Sequence, residues 1–226
     1  MYTLYIGNKN YSSWSLRPWV LMRMLGIPFA ERLIPFGPQP AGQSIAEVTV
    51  SGKVPCLKDD AQWVWDSLAI VEYLAERHPG VWPALPVART WARCAAAEMH
   101  SSFHSLRSHC GMSCGQRVAL YQVQPGVTAD LARLSALWEE GLSRHAGSFL
   151  GGSAFTAVDA FFAPVAFRIQ TYDLKMSRPS LDYAARLRAL PAMREWYAAG
   201  VAEVWRDAPH EAEVSANGRV LEDLRA

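Results

Sequence analysis

A chain of 226 residues, half of them apolar, can bury a substantial core and fits one large domain or two modest ones. Its 22 Lys and Arg stand against 21 Asp and Glu spread along the whole length, which excludes electrostatic capture of nucleic acid or of an anionic membrane surface. No apolar run approaches the ~20 residues needed to span a bilayer, and no basic-then-apolar leader opens the sequence, so a cytoplasmic protein is expected.

"YTLYI" (Tyr2 to Ile6) is a short β-rich run bounded by Gly7 and Asn8 and predicts a buried strand. From Ser15, the residues Leu16, Trp19, Val20, Arg23 and Met24 recur at helical spacing and stop at Gly26, a residue suited to a helix C-terminus. "IPFAERLIPF" predicts a second strand; "CLKDD" and "QWVWD" predict two more, joined by an Asp-containing turn. Asp66 and Ser67 open "LAIVEYLAERHPG", a helix with Leu68, Val71, Leu74 and Ala75 on one face that ends at Pro79. The order β-α-β, connection, β-β-α over residues 1–79 is a thioredoxin-like α/β plan with one mixed sheet. Pro79, Pro83 and Pro86 then mark an interdomain linker.

The rest reads as all-helical: Ala88 to about Ser108, Thr128 to about His145, Thr156 to about Thr171, and Leu181 to about Trp205 divided by Pro191. No strand is expected there. Thr156 and Asp159 stand at capping-box spacing, with Asp in place of the usual Glu or Gln. The expected domains are therefore 1–79 (thioredoxin-like) and 88–210 (all-α), followed by a loosely packed tail, 211–226.

One stretch asks for more than a fold. In "NKNYSSWSLRPWV" three hydroxyls, Ser12, Ser13 and Ser15, fall just before a helix whose N-cap needs only one of them. In a thioredoxin-like unit this is where the helix N-terminus favours an anion such as a thiolate. Thioredoxins supply their own Cys at that point, but here no cysteine precedes Cys56, so a thiol must arrive with a ligand.

At these residues the chain resembles the cytosolic glutathione transferases over nearly its whole length. "SSWS" with Arg17 resembles the serine motif of zeta-class members; "GKVPCL" resembles their VP segment with its cis-proline. "DSLAIVEYL" resembles their E/D-S-x-A-I-x-x-Y-L helix and "TAVDAFFAP" their buried capping motif, and "AAAEMHSSFHSLRS" resembles the first helix of the second domain in bacterial members. The resemblance implies a homodimer that uses glutathione as cosubstrate and attacks a small hydrophobic electrophile held in a mostly apolar cleft between the domains. It implies Ser12 as the catalytic hydroxyl, with Ser13 assisting and Ser15 capping. It also implies that the Val54 backbone, set by Pro55, pairs with the cysteinyl unit, and that Ser67 takes the γ-glutamyl carboxylate. Asp66 would hold the ammonium environment and Lys53 the glycyl carboxylate. Trp14, Met99, Phe103 and Arg107 would line the second-substrate cleft.

Trp14 stands where zeta-class enzymes carry Cys, which counts against their isomerase and thiol-exchange chemistry. A glutathione-dependent isomerase of the maleylacetoacetate or maleylpyruvate type is the competing enzyme reading, and a non-catalytic binding or regulatory protein the competing non-enzyme reading. His100, His104, His109, Cys110 and Cys114 are not expected to hold a metal. No acidic residue stands between the two histidines His100 and His104, and the cysteines have poor ligand spacing. Cys56, Cys94, Cys110 and Cys114 are expected as reduced, non-catalytic thiols.

Overall fold

The computed structural model describes residues 1–225. Its first half is built on strands β1 (Tyr2–Ile6), β2 (Phe29–Leu33), β3 (Cys56–Asp59) and β4 (Gln62–Trp65). They form one sheet in the order β2-β1-β3-β4. β1 pairs parallel with β2 and antiparallel with β3, and β3 pairs antiparallel with β4, the mixed thioredoxin-like sheet expected from the element order. Helix α1 (Ser13–Met24) crosses between β1 and β2, a four-residue α2 (Ile45–Val48) lies in the connection, and α3 (Ser67–Ala75) follows β4.

The second half is helical: α4 (Pro86–Ser101), α5 (His104–His109), α6 (Pro125–Arg144), α7 (Ala157–Tyr172), α8 (Arg178–Ala189), α9 (Pro191–Val201) and α10 (Ala208–Asn217). Prolines open α4 and α9 at a first-turn position, where a missing N–H costs nothing. α7 is buried along almost its whole length, and both α1 and α4 pack on it, so one apolar core runs through both halves. Trp19, Trp138, Trp196 and Phe161 are among its largest fully buried side chains.

Three expectations fail here. The helix predicted from Ala88 to Ser108 breaks at Ser102 and Phe103, because Phe103 takes a left-handed conformation (φ 61°) and starts α5 on a new axis. The second half is not strand-free: β5 (Gln116–Leu120) pairs antiparallel with β6 (Gly218–Asp223). Nor are residues 211–225 of the expected 211–226 tail loosely packed, since α10 and β6 occupy 208–223 and Arg225 anchors on Glu211, Asp223 and Tyr11; residue 226 lies outside the described residues. A five-residue strand whose partner lies about a hundred residues away carries no local periodic signal, and its pairing is paid for by tertiary contacts.

Candidate active site

The site is built around the loop between β1 and α1. Both halves of the molecule lock that loop. Glu203 accepts the Lys9 and Asn10 N–H groups at 2.5 and 3.2 Å, and the Trp196 indole donates to the Lys9 carbonyl at 2.8 Å. The Lys9 ammonium is buried against Glu31 at 2.7 Å and over the Trp19 ring. Asn10 accepts from Gly115 N–H through its side chain at 3.0 Å, and its carbonyl accepts from Cys114 N–H at 3.2 Å. "NKN" is thus a joint between the halves, and it delivers the serines to α1 in a fixed position.

Ser12, not Ser15, caps α1: its Oγ accepts the Ser15 N–H at 3.4 Å, because the helix begins at Ser13. Ser15 is instead fully buried inside the first turn, where its Oγ accepts Gly7 N–H at 3.2 Å and the Ser12 hydroxyl at 2.7 Å. The Ser13 hydroxyl makes no hydrogen bond among the described residues. Ser12 and Ser13 share the wall of a cavity of about 430 Å³ with Trp14, Lys53, Val54 and Arg107.

A neighbouring cavity of about 760 Å³ shares Trp14, Lys53 and Val54 and adds Pro55, Asp66 and Ser67. The Val54–Pro55 peptide is cis. Asp66 sits at φ 72° and caps α3 by accepting the Leu68 N–H at 2.7 Å, which leaves Ser67 free of the capping role. The Ser67 hydroxyl is buried and has no hydrogen-bond partner among the described residues, an arrangement that costs free energy unless a ligand supplies one. From α4, His100 reaches Asp66 at 3.5 Å; burial pulls its imidazole below the usual range, and the Asp66 charge acts the other way.

Trp14 divides the two cavities and carries a guanidinium from each half: Arg17 at 4.2 Å and Arg107 at 4.3 Å from the ring centroid. Arg107 also donates to the Met99 and His100 carbonyls, closing the broken end of α4. Met99 and Phe103 do not line either cavity; Met99 on the buried face of α4 and Phe103 at the start of α5 both sit in the core. The cleft also carries charged and polar groups. Arg168, Glu213 and His210 line the smaller cavity, with His210 stacked between Tyr11 and Phe36 at 5.0 and 5.1 Å.

The sequence matches two family models, the glutathione S-transferase N-terminal domain over residues 11–77 and the glutathione S-transferase C-terminal domain over residues 121–199. A probable maleylacetoacetate isomerase from Vibrio cholerae is 30% identical over 156 residues, 63% of this chain and 69% of that protein. The chain belongs to the glutathione S-transferase family. A probable maleylacetoacetate isomerase from Caenorhabditis elegans is 26% identical over 77% of this chain and 81% of that protein. Among solved structures, the theta-class glutathione S-transferase from Xanthomonas axonopodis pv. citri, determined with glutathione bound, superposes with a TM-score of 0.63 at 20% identity. It covers 87% of this chain and 96% of that one. Glutathione transferase Omega 3C from Trametes versicolor gives a TM-score of 0.66 at 17% identity, covering 86% and 88%.

In this glutathione S-transferase no cysteine thiol hydrogen-bonds to Ser12, Ser13 or Ser15 among the described residues; the Cys114 thiol instead donates to the Lys9 carbonyl at 3.5 Å. Cys56, Cys110 and Cys114 are buried, and burial pushes the Cys56 thiol up to about 11 and the Cys110 thiol up to about 12. Cys94 is exposed on α4. His104 opens α5, and His109 closes it with a ring nitrogen 2.8 Å from the Ser105 carbonyl. The "CGMS" segment (110–113) is pinned to α7 by three side chains: Arg168 Nε donates to the Cys110 carbonyl at 2.8 Å, the Tyr172 hydroxyl to Gly111 at 2.9 Å, and the Thr171 hydroxyl to Ser113 at 2.6 Å. The sequence reading missed Arg168, Glu213 and His210. Arg168 and His210 reach the cavity from elements remote in sequence, and only the lone basic residue on the mostly apolar α7 marks one of them in advance.

Proposed function

We propose that this glutathione S-transferase ionises the thiol of bound glutathione at the N-terminus of α1 and adds it to an electrophile in the adjoining cavity. The observation that carries this reading is the buried, unpartnered Ser67 hydroxyl facing the same cavity as Lys53, Val54 and Asp66. Ser67 would receive the γ-glutamyl carboxylate, the Asp66 carboxylate would face the ammonium, Lys53 would pair with the glycyl carboxylate, and the Val54 backbone would add the cysteinyl unit as a short strand.

Ser12 is the proposed donor to sulfur. Its hydroxyl shares one hydrogen bond with the Ser15 hydroxyl beside the cap bond it accepts from Ser15 N–H, and a hydroxyl proton rotates to suit its partners. When a sulfur anion arrives, Ser15 can donate to Ser12 and free the Ser12 proton for the sulfur. The chain Gly7 N–H, Ser15, Ser12, sulfur then polarises in one direction. Ser13 is the assisting hydroxyl. We further infer a cytoplasmic homodimer. Its free thiols fit a reducing compartment. The exposed Trp65, beside a groove between β4 and α3, gives a second copy an apolar surface.

Calorimetric titration with glutathione tests the reading. Saturable binding in the micromolar to millimolar range, with the thiol ionised at neutral pH, supports it. Absence of binding at millimolar glutathione overturns it.

A further inference from the structure

Two guanidiniums from separate helices line the smaller cavity, Arg107 on α5 and Arg168 on α7, and a third, Arg17 on α1, is buried behind its Trp14 wall. All three act on one another electrostatically. None forms a salt bridge among the described residues. Arg17 is buried beneath Trp14 and Phe161, and among the described residues its Nε and Nη1 have no hydrogen-bond partner, nor does the Nε of Arg107. Burial first, and then the neighbouring Arg168 charge, pull Arg107 down to about 10. Lys53 also lines the cavity, and among the described residues the sole carboxylate on the wall is Glu213.

A guanidinium stays protonated even when buried, so the cost of this cluster is not relieved by loss of a proton. It is relieved by an anion. An apolar electrophile entering the cavity would deepen the burial of the unpaired charges, whereas a carboxylate would supply the missing acceptors in charge-assisted hydrogen bonds.

We propose that the second substrate is an anionic electrophile, held through its carboxylate by Arg107 and Arg168 beside the sulfur bound at Ser12. This rests on the glutathione-transferase reading and replaces the expected hydrophobic electrophile with a charged one. For an unsaturated ketone bearing a carboxylate, the S–C bond forms at the terminal alkene carbon. The alkene electron pair moves onto the carbonyl oxygen as an enolate, and water returns to the α-carbon the proton that the thiol released on ionisation.

Ethacrynate and its methyl ester supply that comparison. Each rate is divided by its uncatalysed reaction with glutathione. The wild-type protein is expected to favour the acid by about 10-fold or more in normalised kcat/KM. Arg107→Gln should lower the acid's value by about 10- to 100-fold and the ester's by less than about 3-fold, with Arg107→Lys recovering part of the loss. Calorimetry with the alkene-reduced acid and its ester, without glutathione, tests the anion site in the absence of turnover. The acid should bind more tightly, and Arg107→Gln should abolish the difference. A separate glutathione titration reports on the transferase reading alone. The proposal is overturned if the wild-type protein prefers the ester, if Arg107→Gln slows acid and ester equally, or if the reduced acid binds no better than its ester.

Discussion

Asp159 offers a test of the buried frame that carries Arg168. Its carboxylate has no exposure and four hydrogen bonds. Oδ1 accepts Leu150 N–H at 3.0 Å and the Tyr183 hydroxyl at 2.8 Å; Oδ2 accepts Thr156 N–H at 2.9 Å and the Thr156 hydroxyl at 3.4 Å. Burial outweighs these bonds and pushes the carboxyl up to about 6, from an ordinary value of 3.8. A rise of about 2 pH units corresponds to about 3 kcal/mol of differential stability. The native state holds the proton more tightly than the unfolded chain, so this contribution is fully present below about pH 4 and is lost as pH rises through about 6. Asp159→Asn cannot titrate, and its amide nitrogen faces donors that formerly met an oxygen, which costs about 1–3 kcal/mol at neutral pH. Urea unfolding of both proteins from about pH 7 to about pH 4 should show the wild-type advantage growing by up to about 3 kcal/mol as the medium is acidified. A difference that stays flat, or shrinks on acidification, would refute the assignment of a raised carboxyl to Asp159.

Two further expectations concern the site directly. Ser67→Ala should weaken glutathione binding by about 1–3 kcal/mol in calorimetry, since a charge-assisted bond to the γ-glutamyl carboxylate is lost, and unchanged affinity would remove Ser67 from the binding set. A variant with Cys56, Cys94, Cys110 and Cys114 all changed to Ala, verified as folded by circular dichroism, should keep most of its conjugation rate; loss of turnover in that variant would place a protein thiol in the mechanism.

The legible parts of the fold were those with a local signature. Alternating or helical apolar spacing located β1, α1, β3, β4 and α3 because each buries one face against a neighbour close in sequence. Thr156 and Asp159 announced the start of α7 through a capping box that the structure contains, with Asp in the reaching role. What stayed hidden depends on distant partners. β5 and β6 exist only as a pair, and the α4–α5 break depends on Phe103 accepting a left-handed backbone that Arg107 then closes. The serine loop shows both cases. Its surplus of hydroxyls marked an anion-directed helix start. The division of labour, with Ser12 as cap and Ser15 buried behind it, depends on where the first helical turn begins, a matter of one or two residues.

The central claim is that a protein hydroxyl stabilises the glutathione thiolate at the start of α1. The most direct measurement is an ultraviolet absorbance titration of the thiolate on the protein-bound peptide, for the wild-type protein and for Ser12→Ala. Binding should stay nearly unchanged, because carboxylate and backbone contacts carry it, while the midpoint of ionisation in Ser12→Ala rises by about 1–2 pH units. Turnover at neutral pH should fall accordingly and recover in part in alkali. A Ser12→Ala midpoint equal to that of the wild-type protein, with the same affinity and rate, would contradict the account.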